Sequence, residues 1–396
     1  DRLRLIQTFQ LPYEYYWIDA GWFVDEKETK LEESAGAWAK WVGRWRPNKN
    51  ILPNGLKPLG KAIHKAGLKF LLWFEPERAR RGTDLPEAYP NWFLEKSKQN
   101  QDLLLNLGMK EARDWLIEFL GKMIRDAGID CYRQDFNFEP LEYWRMADSP
   151  ERQGITEIRH VMGLYEVWDA LLAQFPHLLI DNCASGGRRI DLETMSRSIP
   201  LWRSDFQCFL DSDPIGSQIH TYGIMSWVPL STTGTQIHPE DDFAIRSAYS
   251  PGLVFHHFLE WDKFDELKYN WDWHHKMLRE FLEARPYYEG DYYPLADVST
   301  SQCDWLVYQC HRPDLEAGIV VAFRRKASPF IQAQFPLFGL KKDARYKIRN
   351  SENPEIIIAG NEIMVDGLLI TLLKPRSSII FFYNRIKSHA GGDIHQ

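Results

Sequence analysis

Short runs of β-branched and aromatic residues alternate with longer stretches of helical periodicity over roughly the first 290 residues. This alternation is typical of parallel strands that are joined by crossover helices. Eight segments are predicted to be strands, namely "YEYYWIDAGWF", "LKFLLWFEPE", "DLLLNL", "IDCYRQDF", "HLLIDNCASGG", "IPLWRSDF", "IMSWVPLS" and "GLVFHHF". Eight strands with intervening helices predict an α/β fold, a (β/α)8 TIM barrel over residues 1–297.

Helix boundaries between these strands are marked by proline and glycine. "GLKPLGKAIHKAG" has Pro58 near its start and ends at Gly67. "KEARDWLIEFLGKMIRDAG" is amphipathic and ends at Gly128, and "EIRHVMGLYEVWDALLAQF" precedes the fifth strand. These three segments are therefore predicted to be helices.

The pattern changes from about Val298 onward. "DWLVYQC", "GIVVAFRR", "YKIRN", "EIIIAG", "LLITLL" and "SSIIFFY" are short strand-like runs separated by turns, with no helical stretch between them. They predict a small antiparallel β-sandwich domain over residues 298–387. Residues 388–396 form a polar tail.

Charge and composition exclude several classes of protein. The formal net charge is -7, and no block of Lys and Arg suited to phosphate neutralisation appears, so nucleic acid is not expected as a partner. No apolar run is long enough to span a membrane, so we expect a soluble chain. Five cysteines are too few for a disulfide scaffold, which slightly favours a cytoplasmic location and leaves localisation open.

Metal and phosphate motifs are weak in this sequence. "HPEDDF" at 238–243 and "FHHF" at 255–258 combine His with acids or rings, but their spacing matches no metal signature. "CASGGRR" lacks the Lys-Ser/Thr of a phosphate-binding loop. We therefore expect no metal and no cofactor.

Polar residues gather where the predicted barrel strands end. Active sites of such barrels lie at the carboxyl ends of the strands, so these side chains are expected to converge. They are Asp19, Trp73, Glu75, Asn106, Arg133, Asp135, Asn137, Cys183, Ser185, Arg203 and Asp205.

Two carboxylates in a barrel mouth suggest glycoside hydrolysis, in which one attacks the anomeric carbon and the other protonates the leaving oxygen. Asp135 and Asp205 are the candidates. Arg133 lies on the same face of its strand as Asp135, and its charge would favour an ionised nucleophile. Structural alternatives remain open for both residues, since Asp135 could serve as a helix cap or pair only with Arg133, and Asp205 could pair only with Arg203. Sixteen Trp residues could form sugar platforms or fill a large core.

The ordered set "WIDAGWF", "LLWFEPE", "CYRQDFN", "NCASGGRR" and "LWRSDF" resembles the α-galactosidases of glycoside hydrolase family 36, the melibiase group. The resemblance covers the whole predicted barrel, and the β-domain after it agrees with the family's C-terminal module. It implies a retaining double displacement with Asp135 as nucleophile and Asp205 as acid/base. It also implies that substrate is bound by Asp19, Trp73, Arg113, Arg133, Asn137, Cys183 and Gly186. We add Arg203 to these predicted substrate-binding residues.

The sequence departs from the family pattern at three places. Asp19 is followed by Ala20 where many members have paired acids, Arg133-Gln134 replaces a Lys-Trp pair, and Phe206 replaces a second Asp. These changes bear on the substrate more than on the reaction. Members of the family commonly carry a large β-sandwich before the barrel, and we expect that this domain is missing from the given sequence. A homo-oligomer is possible.

The partner that the resemblance implies is an α-galactoside oligosaccharide. Cys183, Gly186 and Arg189 match the C-x-x-G-x-x-R form of the α-galactosidases. The alternatives are an α-N-acetylgalactosaminidase or α-galactosaminidase on the same scaffold, and a non-catalytic carbohydrate-binding barrel. The aglycone and the linkage are not readable from the sequence.

Overall fold

A computed structural model describes residues 2–27, 37–208, 212–236, 240–256, 268–350 and 354–387. The chain forms two compact units, Asp1–Asp205 and Phe206–Gln396. The predicted domain boundary between residues 297 and 298 stays a prediction. The polar tail at 388–396 and parts of the two His-containing motifs, residues 238–239 and 257–258, lie outside the described residues.

Strands of the first unit are β1 (Tyr15–Ile18), β2 (Lys69–Phe74), β3 (Arg78–Arg80), β4 (Phe93–Leu94), β5 (Asp102–Leu105), β6 (Cys131–Gln134) and β7 (Leu179–Asn182). Its α-helices are α1 (Arg2–Thr8), α2 (Lys57–Lys65), α3 (Asp84–Ala88), α4 (Lys110–Ala127), α5 (Leu141–Ala147), α6 (Ile155–Gln174) and α7 (Leu192–Met195).

Four of these strands form a parallel sheet in the order β1-β2-β6-β7. Phe74 at the end of β2 lies opposite Gln134 at the end of β6, and Gln134 lies opposite Asn182 at the end of β7. The residues that directly follow these strands therefore leave the sheet side by side. This alignment brings Glu75, Asp135 and Cys183 to one edge.

The helices begin and end near the proline and glycine residues that predicted their boundaries. The predicted helices correspond to α2, α4 and α6, which confirms them. Helix α4 ends at Gly128, whose φ of 71° is in the left-handed region, and the N–H of Gly128 donates to the carbonyl of Ile124. Among the helices that the structure describes, none is both long and apolar enough to cross a membrane.

Three predicted barrel strands differ in the structure. "DLLLNL" forms β5, which pairs antiparallel with β3 and β4 and lies outside the parallel sheet. "IPLWRSDF" forms no regular strand and touches the sheet through a single parallel bridge between Ile199 and Asp181. "IMSWVPLS" holds a helix end and a turn, and the strand begins only at Thr232. An apolar run fixes burial but does not specify its pairing partner, so these three predictions were wrong.

The second unit contains ten strands in its described part: β8 (Thr232–Gln236), β9 (Gly252–His256), β10 (Asp291–Pro294), β11 (Trp305–Arg312), β12 (Ala317–Arg324), β13 (Gln332–Phe335), β14 (Arg345–Arg349), β15 (Ile356–Ala359), β16 (Leu368–Thr371) and β17 (Ser377–Arg385). Its α-helices are α8 (Pro214–Ile224), α9 (Asp242–Ser247), α10 (Trp271–Ala284) and α11 (Gly360–Val365).

Strands β8 and β9 pair in parallel, and β9 confirms the eighth predicted strand. A six-stranded antiparallel sheet has the order β10-β11-β12-β17-β14-β15, and β13 pairs with β16 in a second sheet. Val307 and Val320 of the large sheet share one hydrophobic core with Leu368 and Ile370 of the small one. The six predicted strands of this region are confirmed, whereas α11, β10 and β13 were not predicted.

Candidate active site

The carboxylate of Asp135 is the centre of the site. Asp135 directly follows β6, and its side chain is buried. Its Oδ2 accepts hydrogen bonds from Trp73 Nε1 at 3.1 Å and Asn137 Nδ2 at 2.8 Å. Its Oδ1 accepts from the backbone N–H of Phe136 at 2.7 Å and of Ser185 at 3.0 Å. Four donors thus fix the carboxylate in one orientation.

These donors and a nearby cation decide the ionisation of Asp135. Burial alone would raise its pKa, but the charge of Arg133 and the hydrogen bonds from Asn137, Ser185 and Trp73 outweigh burial, so the pKa lies below its ordinary value. Asp135 is therefore a carboxylate at neutral pH. The simpler interpretation, a bare pair with Arg133, does not account for the four donors.

Arg133 joins several predicted site residues. Its guanidinium pairs with the fully buried Asp181, donates from Nη2 to the Sγ of Cys183 at 3.3 Å, and lies 3.6 Å from the Oδ2 of Asp19. It also lies over the rings of Trp17 and Trp202, 5.7 Å from each centroid. A planar guanidinium can serve all these partners at once, which a lysine ammonium could not.

Asp205 has the opposite electrostatic environment. Burial and the negative charge of Asp135 raise the pKa of Asp205, against the opposing hydrogen bond from Trp202 and the charge of Arg133. Trp202 Nε1 donates to its Oδ1 at 3.1 Å. Asp205 therefore holds its proton to higher pH than an ordinary aspartic acid.

Gly186 and Gly187 let the loop after β7 approach the segment that carries Asp205. A Cβ at Gly186, which has a φ of 85°, would lie 2.7 Å from the backbone nitrogen of Asp205. A Cβ at Gly187 would lie 2.5 Å from the carbonyl oxygen of Arg203. Both close contacts are with protein backbone, and the substrate-binding role predicted for Gly186 stays a prediction.

Trp73 and Arg113 were predicted to bind substrate, and both make contacts with other protein groups. The ring of Trp73 is 0% exposed and packs against Phe23 and Trp38, so in this structure it contacts Asp135 and offers no open platform for a sugar. Arg113 donates to the carbonyl of Leu107 and pairs with Glu166, which ties α4 to α6. The substrate-binding role predicted for Arg113 stays a prediction.

Cys183 is a buried thiol. Burial raises its pKa well above the ordinary value, so the sulfur is protonated at neutral pH and is not an activated nucleophile. Asp19 is exposed on its side chain and accepts the backbone N–H of Ala20 at 2.8 Å. Its Oδ2 lies 3.6 Å from Arg133 Nε, and 65% of the side chain is exposed.

A cavity of about 390 Å³ opens beside the site in the first unit. It is lined by Lys96, Asn100, Asp102, Asn137, Phe138, Glu139, Tyr143, Ser185 and Arg188. Asn137 and Ser185 belong to both the cavity wall and the donor set of Asp135. Asp135 and Asp205 themselves are not among the lining residues. Within the described residues no group of three or more His, Cys, Asp or Glu could hold a metal ion.

Sequence reasoning missed a buried polar network beneath the site. Glu77 is fully buried and accepts from both terminal nitrogens of Arg189 at 2.7 and 2.8 Å, from Gln134 at 2.7 Å, and contacts His160 at 2.8 Å. Although burial opposes ionisation, Arg189 and His160 lower the pKa of Glu77 to about 2. The network ties β6 and α6 to the loop after β7. Asp181, two residues before Cys183 and on the same strand face, was also missed.

Replacing Glu77 by leucine should lower the free energy of unfolding by about 3–5 kcal/mol, because the buried charge of Arg189 would lose its partner. Urea denaturation followed by circular dichroism measures this. The control Glu87→Leu makes the same change at an exposed position and should alter the free energy by about 0.5 kcal/mol or less. Equal losses of stability in both variants would contradict the role of Glu77 as the partner of the buried Arg189.

Comparisons with known proteins show which family the chain resembles. The Melibiase family model matches residues 5–249. Alpha-galactosidase AgaA of Geobacillus stearothermophilus is 30% identical over 233 residues, which are 58% of this chain and 30% of that protein. Alpha-galactosidase 1 of Pediococcus pentosaceus is 25% identical over 375 residues, which are 90% of this chain and 48% of that protein. The chain thus spans about half or less of these relatives' length.

The fold resembles solved structures. A crystal structure of the α-galactosidase from Lactobacillus brevis has a TM-score of 0.79 at 21% identity, covering 100% of this chain and 53% of that one. The α-galactosidase AgaA from G. stearothermophilus has a TM-score of 0.78 at 23% identity, covering 97% of this chain and 52% of that one. At these identities the likeness concerns the fold alone.

Proposed function

The chain belongs to the melibiase family, and from that premise we propose that it is a retaining α-galactosidase acting on terminal α-linked galactose of oligosaccharides or glycoconjugates. One observation carries the proposal: the pKa of Asp135 is lowered and that of Asp205 is raised, in part by the charge of Asp135 itself. Two carboxyl groups whose pKa values are shifted in opposite directions are suited to act as base and acid.

In the first step, the Asp135 carboxylate attacks the anomeric carbon while Asp205 donates its proton to the glycosidic oxygen. The bond between the anomeric carbon and that oxygen breaks, and the aglycone leaves as an alcohol. The product is a galactosyl ester on Asp135. The donors on the Asp135 carboxylate keep it a weak base, which also makes it a good leaving group in the next step.

In the second step, the ionised Asp205 takes a proton from water, and the water oxygen bonds to the anomeric carbon. The ester bond breaks, Asp135 returns as a carboxylate, and Asp205 is again protonated. Two displacements at one carbon retain the α configuration. Asp19, Arg133, Asn137 and Cys183 would contact the sugar, and no metal or cofactor takes part.

We also propose that the parallel strands belong to a closed (β/α)8 barrel over residues 1–297, followed by an antiparallel β-sandwich over 298–387. The parallel order of β1, β2, β6 and β7 and the likeness to solved α-galactosidases support this. An experimentally determined structure with an unbroken ring of paired strands would test it.

Oligosaccharide substrates are supported by complexes of a relative. Variants of AgaA from G. stearothermophilus have been solved with stachyose and with raffinose. We propose α-galactosyl oligosaccharides of this kind as the substrate class here. Cys183 and Gly186 would lie close to the 2-hydroxyl and leave little room for an N-acetyl group.

We expect kcat/KM for 4-nitrophenyl α-galactoside to exceed that for the α-glucoside and the α-N-acetylgalactosaminide by about 100-fold or more. The α-glucoside would lose the hydrogen bond from the axial 4-hydroxyl to Asp19, and the N-acetyl group would clash beside Cys183 and Gly186. Assays of the three substrates side by side measure this. Preference for the N-acetylated sugar would favour an α-N-acetylgalactosaminidase. Binding of galactose without turnover of any substrate would favour a non-catalytic barrel.

A further inference from the structure

A third carboxylate, Glu75, adjoins the candidate nucleophile. Glu75 directly follows β2 as Asp135 directly follows β6, and the last residues of these two paired strands lie opposite each other. The N–H of Asp135 donates to the carbonyl of Phe74 at 2.8 Å, so the two acids leave the sheet together. Glu75 is 0% exposed.

Both carboxylate oxygens of Glu75 are engaged by protein donors. Oε1 accepts the backbone N–H of Asn137 at 2.7 Å, and Oε2 accepts Arg78 Nη2 at 2.7 Å. Asn137 Nδ2 lies 3.5 Å from Oε2 and donates to Asp135 Oδ2 at 2.8 Å. Asn137 is therefore clamped between the two carboxylates, held by Glu75 through its backbone and directed at Asp135 through its side chain.

Glu75 is poorly placed to be the acid of the reaction. A general acid must come within about 2.6–3.2 Å of the atom it protonates, directly or through one water. The carboxyl group of Glu75 has no exposed surface, and Asn137 and Arg78 occupy its oxygens. Its effect on the reaction must pass through another residue.

We propose that Glu75 is a positioning residue for the reaction proposed above: it holds Asn137 so that the Asn137 amide stays aimed at the nucleophile Asp135. The oxygen of the Asn137 amide supports the same geometry, because this Oδ1 accepts a hydrogen bond from the hydroxyl of Ser185 at 2.9 Å. The backbone N–H of Ser185 also donates to Asp135. A shift of Asn137 would therefore disturb two of the four donors on the nucleophile.

The charge of Glu75 depends on pH near neutrality. Burial and the negative charge of Asp135 raise its pKa to about 7, against the opposing charge and hydrogen bond of Arg78. Arg78 is itself held over the ring of Trp38 at 5.4 Å, with Asp102 at 3.8 Å on its far side. Glu75 is therefore ionised above about pH 7 and loses its charge as the pH falls through that value.

Glu75→Gln keeps the shape but places an amide nitrogen against either Asn137 or Arg78, where donor would face donor. We expect kcat for 4-nitrophenyl α-galactoside to fall about 10- to 100-fold, with KM changed by less than about threefold, because small misplacements near the reacting atoms cost rate. Glu75→Asp, which retains the charge, should recover part of the loss. Asp130→Asn is the matched control at the opposite end of the same strands, where Asp130 accepts the N–H of Phe70 at 2.7 Å, and it should change kcat by about twofold or less.

A double-mutant cycle tests the route through Asn137. If Glu75 acts through Asn137, Glu75→Gln should cost about twofold or less in an Asn137→Ala background, because the amide it positions is already gone. If the fold-losses in kcat of the two single variants multiply in the double variant, the proposal is wrong. An equal loss in Glu75→Gln and Asp130→Asn would also overturn it, since a general effect on the sheet would then suffice.

A measurement without substrate separates this inference from the proposed function. The carboxyl 13C resonance of Asp135 at pH 8, followed in protein labelled at aspartate, should move in Glu75→Gln and stay in place in Asp130→Asn. An unmoved resonance would overturn the positioning role even if the enzyme turns over galactosides. If the resonance moves but the protein hydrolyses no α-galactoside, the positioning role of Glu75 is supported and the proposed function is wrong.

Discussion

Replacing Asp135 by glycine should lower kcat for 4-nitrophenyl α-galactoside by about 10,000-fold or more, because no other group can form the covalent intermediate. Asp135 receives four hydrogen bonds, and its pKa is lowered although the group is buried. The adjoining Glu75 differs, because its pKa is raised and its two oxygens are engaged by Asn137 and Arg78.

Steady-state kinetics of the purified variant measures this loss, with thermal unfolding to show that the protein still folds. Asp126→Gly removes an exposed acid that pairs with Lys122, and it should change kcat by about twofold or less. Added azide should enter the space left by the carboxylate and displace nitrophenol in a single inversion, giving β-galactosyl azide. Retention of a large part of the wild-type rate in Asp135→Gly would contradict the assignment of the nucleophile.

Replacing Asp205 by alanine should affect substrates according to their leaving group. A nitrophenolate leaves without much help from an acid, so the loss in its glycosylation step should be about tenfold or less, whereas raffinose should lose about 100- to 10,000-fold. Azide should accelerate the variant, because it attacks the galactosyl ester without a general base, and the product should be α-galactosyl azide.

The pH profile of the same variant provides a second measurement. Asp205 must be protonated to act, so wild-type activity should fall as the pH rises through its raised pKa, and it should fall at low pH as Asp135 becomes protonated. In Asp205→Ala the fall on the alkaline side should disappear for the nitrophenyl substrate. Equal losses on both substrates, with no response to azide, would assign the acid to another carboxylate.

Much of the first unit could be predicted from residue patterns. The run of Leu and aromatic residues in β2 and the glycine after α4 marked their elements, because burial and helix termination depend on local chemistry. Strand pairing was harder. The run that forms β5 is as apolar as a barrel strand, and only contact with β3 and β4 makes it antiparallel.

The candidate site was predictable where a side chain directly follows a strand, as with Asp135 and Cys183. Its supporting donors were not, because they join segments far apart in sequence. The backbone N–H of Ser185 reaches Asp135 across 50 positions, and that of Asn137 reaches Glu75 across 62. Backbone donors carry no signal in residue type, and their partners depend on strand register.

The anomeric form of the first product tests the central claim most directly. Proton NMR can follow the hydrolysis of 4-nitrophenyl α-galactoside from its first minutes, before mutarotation mixes the two anomers. Double displacement through Asp135 predicts that α-galactose appears first and that the β anomer grows in later. Initial appearance of β-galactose would mean a single displacement by water and would contradict the covalent mechanism.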